Sequence, residues 1–258
     1  MKTLATLALL CGMATTQAYV EVPTETSMQK DLRDYNKERI HIGTKEIVIT
    51  IDDGPTRGVT DKILDTLKKH NVQATFFVIA SKVNKNRDIF QRMLDEGHIV
   101  ANHTMTHANL ANIRGLFKTK KLKEELLGAH DAIESYMGNS SKYYFRAPYG
   151  AWSPKAAKVI NKSEHGSNYF GPVFWDIGGD IDGSLFKVKK AADWACWSKR
   201  WSVNKCFKGY KNETEQKKGG VVLFHDLNKK SAELIEKYVE EFSDRPDYDF
   251  VSLDEVKL

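Results

Sequence analysis

Glu46-Ile47-Val48-Ile49-Thr50-Ile51-Asp52-Asp53-Gly54-Pro55 is the stretch that decides the fold. Its first six residues are short, apolar and β-branched, which predicts a buried strand. Asp-Asp-Gly-Pro then stops it with turn residues. Val59, Ile63, Leu64 and Leu67 recur at helical spacing behind the turn, with Asp61 near the helix start, where negative charge is favoured. Ala74–Ile79 reads as the next strand, residues 86–96 as a helix closed by Gly97, and His98–Asn102 as a third strand. The alternation continues with a long helix carrying Leu122 to Tyr136 and ending at Gly138. Strands are predicted near 142–146 and 172–177, with a helix at 154–162 between them. Residues 184–203 read as a helix, Val221–Phe224 as a buried strand, 230–242 as a helix, and 249–251 as a closing strand. Alternating strands and helices imply parallel strands with crossover helices, and this many units fit an α/β barrel or distorted barrel better than an open sheet. No linker, repeat or low-complexity segment interrupts the pattern, so residues 45–258 are expected to be one domain.

Composition narrows the function. The chain has 258 residues, 41% of them hydrophobic, which supports a substantial core and argues against disorder. The formal charge of +5 is scattered, with no arginine-rich arm and no zinc-finger spacing, so nucleic acid is not an expected partner. Lys2, the apolar run Leu4–Met13 and Thr16-Gln17-Ala18 make a secretory signal with cleavage after Ala18, so a secreted or periplasmic protein is expected. Residues 19–44 read as a polar lead-in, and no other segment is long and apolar enough to span a membrane. Cleavage also removes Cys11. The pair left behind, Cys196 and Cys206, reads as a disulfide in an oxidising compartment.

The polar residues that stand out follow predicted strands: Asp52-Asp53, His103-Thr104-Met105-Thr106-His107, Arg146-Ala147-Pro148-Tyr149-Gly150 and His225-Asp226. In a barrel these ends share one face, where active sites are built. Histidines four apart can lie on one face of a helical turn, and a carboxylate beside them would leave coordination positions open for water and substrate. Adjacent carboxylates in an extended segment diverge, so one of Asp52 and Asp53 can bind metal while the other faces substrate. The bland alternative is plain turn chemistry.

These motifs resemble, in order, those of the polysaccharide deacetylase family, also called the NodB homology domain or carbohydrate esterase family 4. Thr50-Ile51-Asp52-Asp53-Gly54-Pro55 is similar to its first motif, His103–His107 to its second, Arg146–Gly150 to its third and Val222–Asp226 to its fifth. The resemblance implies a distorted (β/α) barrel and hydrolysis of acetyl groups from carbohydrate. It implies that Asp53, His103 and His107 hold a divalent metal, most typically zinc. Asp52 would be the general base, Arg146 would pair with it and hold it ionised, and His225 would be the general acid. The Tyr149 backbone N–H would help bind the oxyanion, and Leu223 would border the acetyl pocket. The fourth motif departs from the family pattern of Trp followed by Asp-x-x-Asp-Trp, because Trp175-Asp176-Ile177-Gly178-Gly179-Asp180-Ile181-Asp182 has shifted spacing and lacks the final Trp. Asp180 is the expected partner of His225, with Asp182 and Asp176 as alternatives.

The remaining residues receive plainer readings. His41, His70, His98, His130 and His165 fit no constellation and are read as surface or locally hydrogen-bonded side chains. Tyr149 and Trp152 could form a sugar platform. Trp194, Trp197 and Trp201 read as a core stripe, within a cystine-pinned insertion from Ala191 to Tyr210 that could shape substrate choice. The expected reaction is removal of N-acetyl groups from an N-acetylglucosamine-containing polymer, preferably peptidoglycan, with chitin oligomers second and a monomeric enzyme. An O-acetyl xylan esterase and a non-catalytic carbohydrate-binding protein are the competing readings. A peptidase is weakened by the lack of His-Glu-x-x-His.

Overall fold

The computed structural model describes residues 43–137, 143–184 and 187–256. The predicted signal, most of the lead-in and Gly138 lie outside the described residues. The chain opens with strand β1 (Glu46–Asp52), helix α1 (Thr60–Lys69), β2 (Ala74–Val78), the short α2 (Ala80–Val83), α3 (Arg87–Asp95) and β3 (Ile99–Asn102). It continues with α4 (Lys118–Met137), β4 (Tyr143–Tyr144), α5 (Pro154–Asn161), β5 (Tyr169–Phe170), β6 (Asp182–Gly183) and β7 (Val188–Lys190). Helices α6 (Asp193–Ser198) and α7 (Val203–Lys217) precede β8 (Gly220–His225), α8 (Lys229–Ser243) and β9 (Asp249–Phe250).

The main sheet runs β3-β2-β1-β8, with β9 pairing parallel to the start of β1. Every residue of β1 after Glu46 is buried, and all of β2 is buried, as a parallel sheet covered on both faces requires. At one edge the curve continues through a single bridge, Asn102 to Phe145, into the β4–β5 pair. At the other edge Ile177 bridges to Val222. The result is a distorted barrel held by a few ladder bonds at its irregular side. The core on one side of the sheet includes Ile49, Phe76, Leu64, Val222 and Tyr238, all buried.

Two predicted elements differ. No strand forms over 172–177, where Pro172 has no N–H to donate and Ile177 alone makes a ladder bridge to the main sheet. The single helix predicted over 184–203 is replaced by the antiparallel β6–β7 pair followed by α6 and α7. Arg200, with φ of 55°, takes the left-handed conformation beyond α6, and the Ser202 side chain then accepts from Lys205 N–H to cap α7. The expected Cys196–Cys206 disulfide is present, tying α6 to α7 between two fully buried cysteines.

Candidate metal-dependent active site

Strand register brings the candidate residues together. Asp52 is opposite Phe77 on one side and His225 on the other. Val78 is opposite Asn102, and Asn102 bridges to Phe145. The residues that leave these strands, Asp53, His103, Arg146 and Asp226, therefore emerge at one end of the barrel. Alternation does the finer positioning. Thr50 and Asp52 lie two apart on β1, opposite Leu223 and His225 on β8, so all four occupy one face.

Arg146 is the hub of that face and is only 1% exposed. Its Nη1 donates to Asp52 Oδ1 at 2.7 Å and to Thr50 Oγ1 at 2.8 Å, and its Nε donates to the Val173 carbonyl at 2.9 Å. Phe77 packs under the guanidinium, with its ring centroid 4.2 Å away. The Arg146 carbonyl accepts from His103 Nδ1 at 2.8 Å, which turns His103 Nε2 toward the aspartates.

Asp53, with φ of 76°, sits in the left-handed region and breaks the strand's alternation. Both neighbouring carboxylates consequently reach one histidine, where an extended segment was expected to separate them. His103 Nε2 lies 3.5 Å from Asp53 Oδ1 and 3.6 Å from Asp52 Oδ2, while His107 Nε2 lies 3.1 Å from Asp53 Oδ1. Thr104, His107 and Tyr149 also have left-handed backbones, at 70°, 64° and 60°. Such concentration of costly conformations is a mark of a functional site.

The donor set fits a divalent cation. Asp53 Oδ1 is buried and has no hydrogen-bond partner, although two imidazole nitrogens converge on it. The ligand atoms of Asp53, His103 and His107 all lie within 4.8 Å of one another. Burial works to raise the Asp53 pKa, but the neighbouring His103 ring, together with His225 and His107, holds it well below the usual carboxylate range. Burial lowers the His107 pKa and favours the neutral ring that a metal binds.

The predicted partner of His225 is corrected. Asp180 is exposed, its carboxylate held 2.9 Å from Lys190 Nζ. Asp182 pairs with Lys189 at 3.2 Å, and Asp176 accepts from Val221 N–H at 3.0 Å, so neither alternative serves. The partner is Asp193, fully buried at the start of α6. Its Oδ1 accepts from His225 Nδ1 at 2.7 Å and its Oδ2 from the His225 backbone N–H at 2.8 Å. The signal was in the sequence as Asp193-Trp194, which resembles the Asp-Trp end of the fourth motif. The β6–β7 hairpin separates it from Trp175. Burial would lower the His225 pKa, but the Asp193 carboxylate outweighs it, with Asp52 and Asp53 adding, and the ring is pushed up to about 9. Tyr210, stacked on Phe224 at 4.7 Å, accepts from Asp193 N–H at 3.0 Å and donates to the Leu223 carbonyl at 2.9 Å. Gly178, with φ of 87°, passes so close to this pair that a Cβ there would clash with the Leu223 carbonyl oxygen.

A cavity of about 510 Å³ opens over these groups, bordered by Ala147, Tyr149, Trp175, Trp194, Leu223 and Leu227. Trp152 is not among them. It is buried against Phe145 at 5.1 Å and belongs to the core beneath α5. Trp194 is half exposed at the cavity rim rather than in the core, whereas Trp197 and Trp201 do pack on the core.

Residues 40–166 match the family model described as polysaccharide deacetylase. The chain belongs to the polysaccharide deacetylase family. An uncharacterised 30.6 kDa protein of Geobacillus stearothermophilus is 31% identical over 83% of this chain and 71% of its own length. The peptidoglycan-N-acetylglucosamine deacetylase PgdA of Listeria monocytogenes is 30% identical over 82% of this chain, but this chain spans only 39% of that protein. The solved structure of peptidoglycan deacetylase PdaC from Bacillus subtilis superposes with a TM-score of 0.62 at 26% identity, covering 83% of this chain and 90% of that one. Among the described residues no helix is long and apolar enough to cross a membrane.

Proposed function

We propose that this member of the polysaccharide deacetylase family is a metal-dependent hydrolase that removes N-acetyl groups from an N-acetylglucosamine-containing glycan. Peptidoglycan is the preferred substrate and chitin oligomers the second. The observation that carries the reading is the convergence of Asp53, His103 and His107 beside the Arg146-paired Asp52 and the Asp193-paired His225. A divalent cation held by Asp53, His103 and His107, zinc by the chemistry of that donor set, supplies polarisation of the acetamide carbonyl and a more acidic water.

The chain's own groups then have distinct tasks. Arg146 fixes the Asp52 carboxylate so that its other oxygen is free to take the proton of the attacking water. The Tyr149 N–H donates to the developing oxyanion, and Leu223 borders the acetyl methyl. His225, kept protonated by Asp193, gives its proton to the departing amine nitrogen. Tyr149, Trp194 and Leu227, all exposed around the opening, offer flat apolar surface of the kind that pyranose rings cover. Residues 45–258 form the catalytic unit in this reading. Residues 1–18 direct export, and the enzyme works as a secreted or periplasmic monomer.

The test is acetate release by residues 19–258 from N-acetylglucosamine oligomers and from peptidoglycan. Metal-free, zinc-restored and Asp52→Asn proteins are compared. Zinc-dependent release that Asp52→Asn abolishes, with metal still bound, is the expected result. No release from any N-acetylated substrate by fully metallated protein would end the N-deacetylase reading. Acetate from O-acetyl xylan alone would replace it with an esterase.

A further inference from the structure

A second convergence of ligand atoms lies away from the strand ends. Helix α4 carries His130 and Glu134 one turn apart, and the loop after α5 brings His165 onto them. The His130 ring is fully buried. It packs on Tyr143 at 4.7 Å, on His165 at 3.9 Å and on Tyr169 at 5.5 Å. His130 Nδ1 shares a 2.9 Å hydrogen bond with the Tyr169 hydroxyl, which also accepts from Asn102 Nδ2 at 2.9 Å.

The opposite nitrogen, Nε2, is buried and has no hydrogen-bond partner. It faces Glu134 Oε1 at 3.4 Å, and His165 Nδ1 lies 4.0 Å from the same oxygen. One ligand atom from each of the three residues falls within 4.8 Å of the others. Buried polar atoms without partners are rare enough in folded proteins that each requires an explanation. A tautomer with its proton on Nε2 has only the half-exposed Glu134 carboxylate, at 3.4 Å, to face. The other tautomer donates Nδ1–H to Tyr169 and presents a lone pair into the cluster, which is how outer hydrogen bonds orient metal-binding histidines.

We propose that His130, Glu134 and His165 form a second divalent-metal site of zinc type, separate from the strand-end site, that pins α4 to the loop after α5. Two imidazoles and one carboxylate favour zinc over calcium or magnesium, whose ligands are oxygens. The Glu134 and His165 side chains are 39% and 23% exposed, so an ion can enter and keep water on its open side. His165 Nε2 faces Glu164 Oε1 at 3.4 Å, an outer contact that orients this ring too.

The experiment is zinc stoichiometry on the chelator-stripped, zinc-titrated and dialysed full chain, read by elemental analysis. The wild type should hold about two zinc ions per chain, Asp53→Ala/His107→Ala about one, and Glu134→Gln/His165→Gln about one. The last pair changes partly exposed side chains, and circular dichroism checks that its fold is kept. Zinc should also raise the thermal unfolding midpoint of Asp53→Ala/His107→Ala, and adding Glu134→Gln/His165→Gln should abolish that rise. The proposal is overturned if Asp53→Ala/His107→Ala holds no zinc, or if Glu134→Gln/His165→Gln keeps the wild-type stoichiometry. If zinc is lost only on changing Glu134 and His165, the second site stands and the strand-end metal reading falls instead.

Discussion

Asp193→Asn removes the charge behind His225 while keeping the side-chain shape. In the wild type that carboxylate offsets burial and places the His225 pKa at about 9, against an ordinary 6.5. Without it, only the Asp52 and Asp53 charges oppose burial, and the pKa should fall toward 6.5. At pH 7.5 a pKa near 6.5 leaves the acid protonated in about one molecule in ten, against nearly all in the wild type, so kcat/KM should drop by up to about tenfold. A general acid requires the protonated ring, so activity is lost as pH rises through its pKa. The alkaline limb of the kcat/KM profile on N-acetylglucosamine oligomers should accordingly move to lower pH, by up to about two units. Stability provides a second readout in metal-free protein. His225 has a folded pKa above its unfolded value, so its contribution is complete below about pH 6.5 and disappears as pH rises through about 9. That contribution is at most about 3 kcal/mol, and Asp193→Asn should flatten the corresponding slope. An alkaline limb that stays in place in Asp193→Asn, or that moves equally in Asp180→Asn, would refute the reasoning.

Three further outcomes are expected. Arg146→Met leaves a buried carboxylate at Asp52 without its cation and should cost about 3–5 kcal/mol in denaturant unfolding, part of which the Arg146→Met/Asp52→Asn double variant should recover. Replacing Cys196 and Cys206 by Ser opens a link of sequence separation 10 and should cost about 2–4 kcal/mol, with a lower chemical-denaturation midpoint. Asp226 is buried, which pushes its pKa up to about 6, so its contribution to stability is lost as pH rises through that value. The stability of Asp226→Asn relative to wild type should therefore rise from pH 4 to pH 7.5, by up to about 3 kcal/mol, in paired unfolding titrations.

The sequence by itself determined the alternation of strands and helices and the polar residues at strand ends. Both are local properties: β-branched runs such as Ile47–Ile51 fix extended backbone, and turn residues such as Asp53-Gly54-Pro55 end it. Asp53 and His103 were legible because each follows a strand directly, with His107 four residues behind His103, and parallel register carries strand ends to one place. Tertiary structure decided what no local pattern encodes. Asp193 finds His225 only because the β6–β7 hairpin and the cystine-pinned α6–α7 pair fold it back beneath β8, whereas Asp180, closer to the expected motif, is drawn out to Lys190. Trp152 and Trp194 exchanged their expected places because helix packing, not aromatic character, set which ring was buried. His130 and His165 looked unrelated along the chain. Their meeting at Glu134 depends on where α4 and α5 dock, and so appears only once the chain is folded.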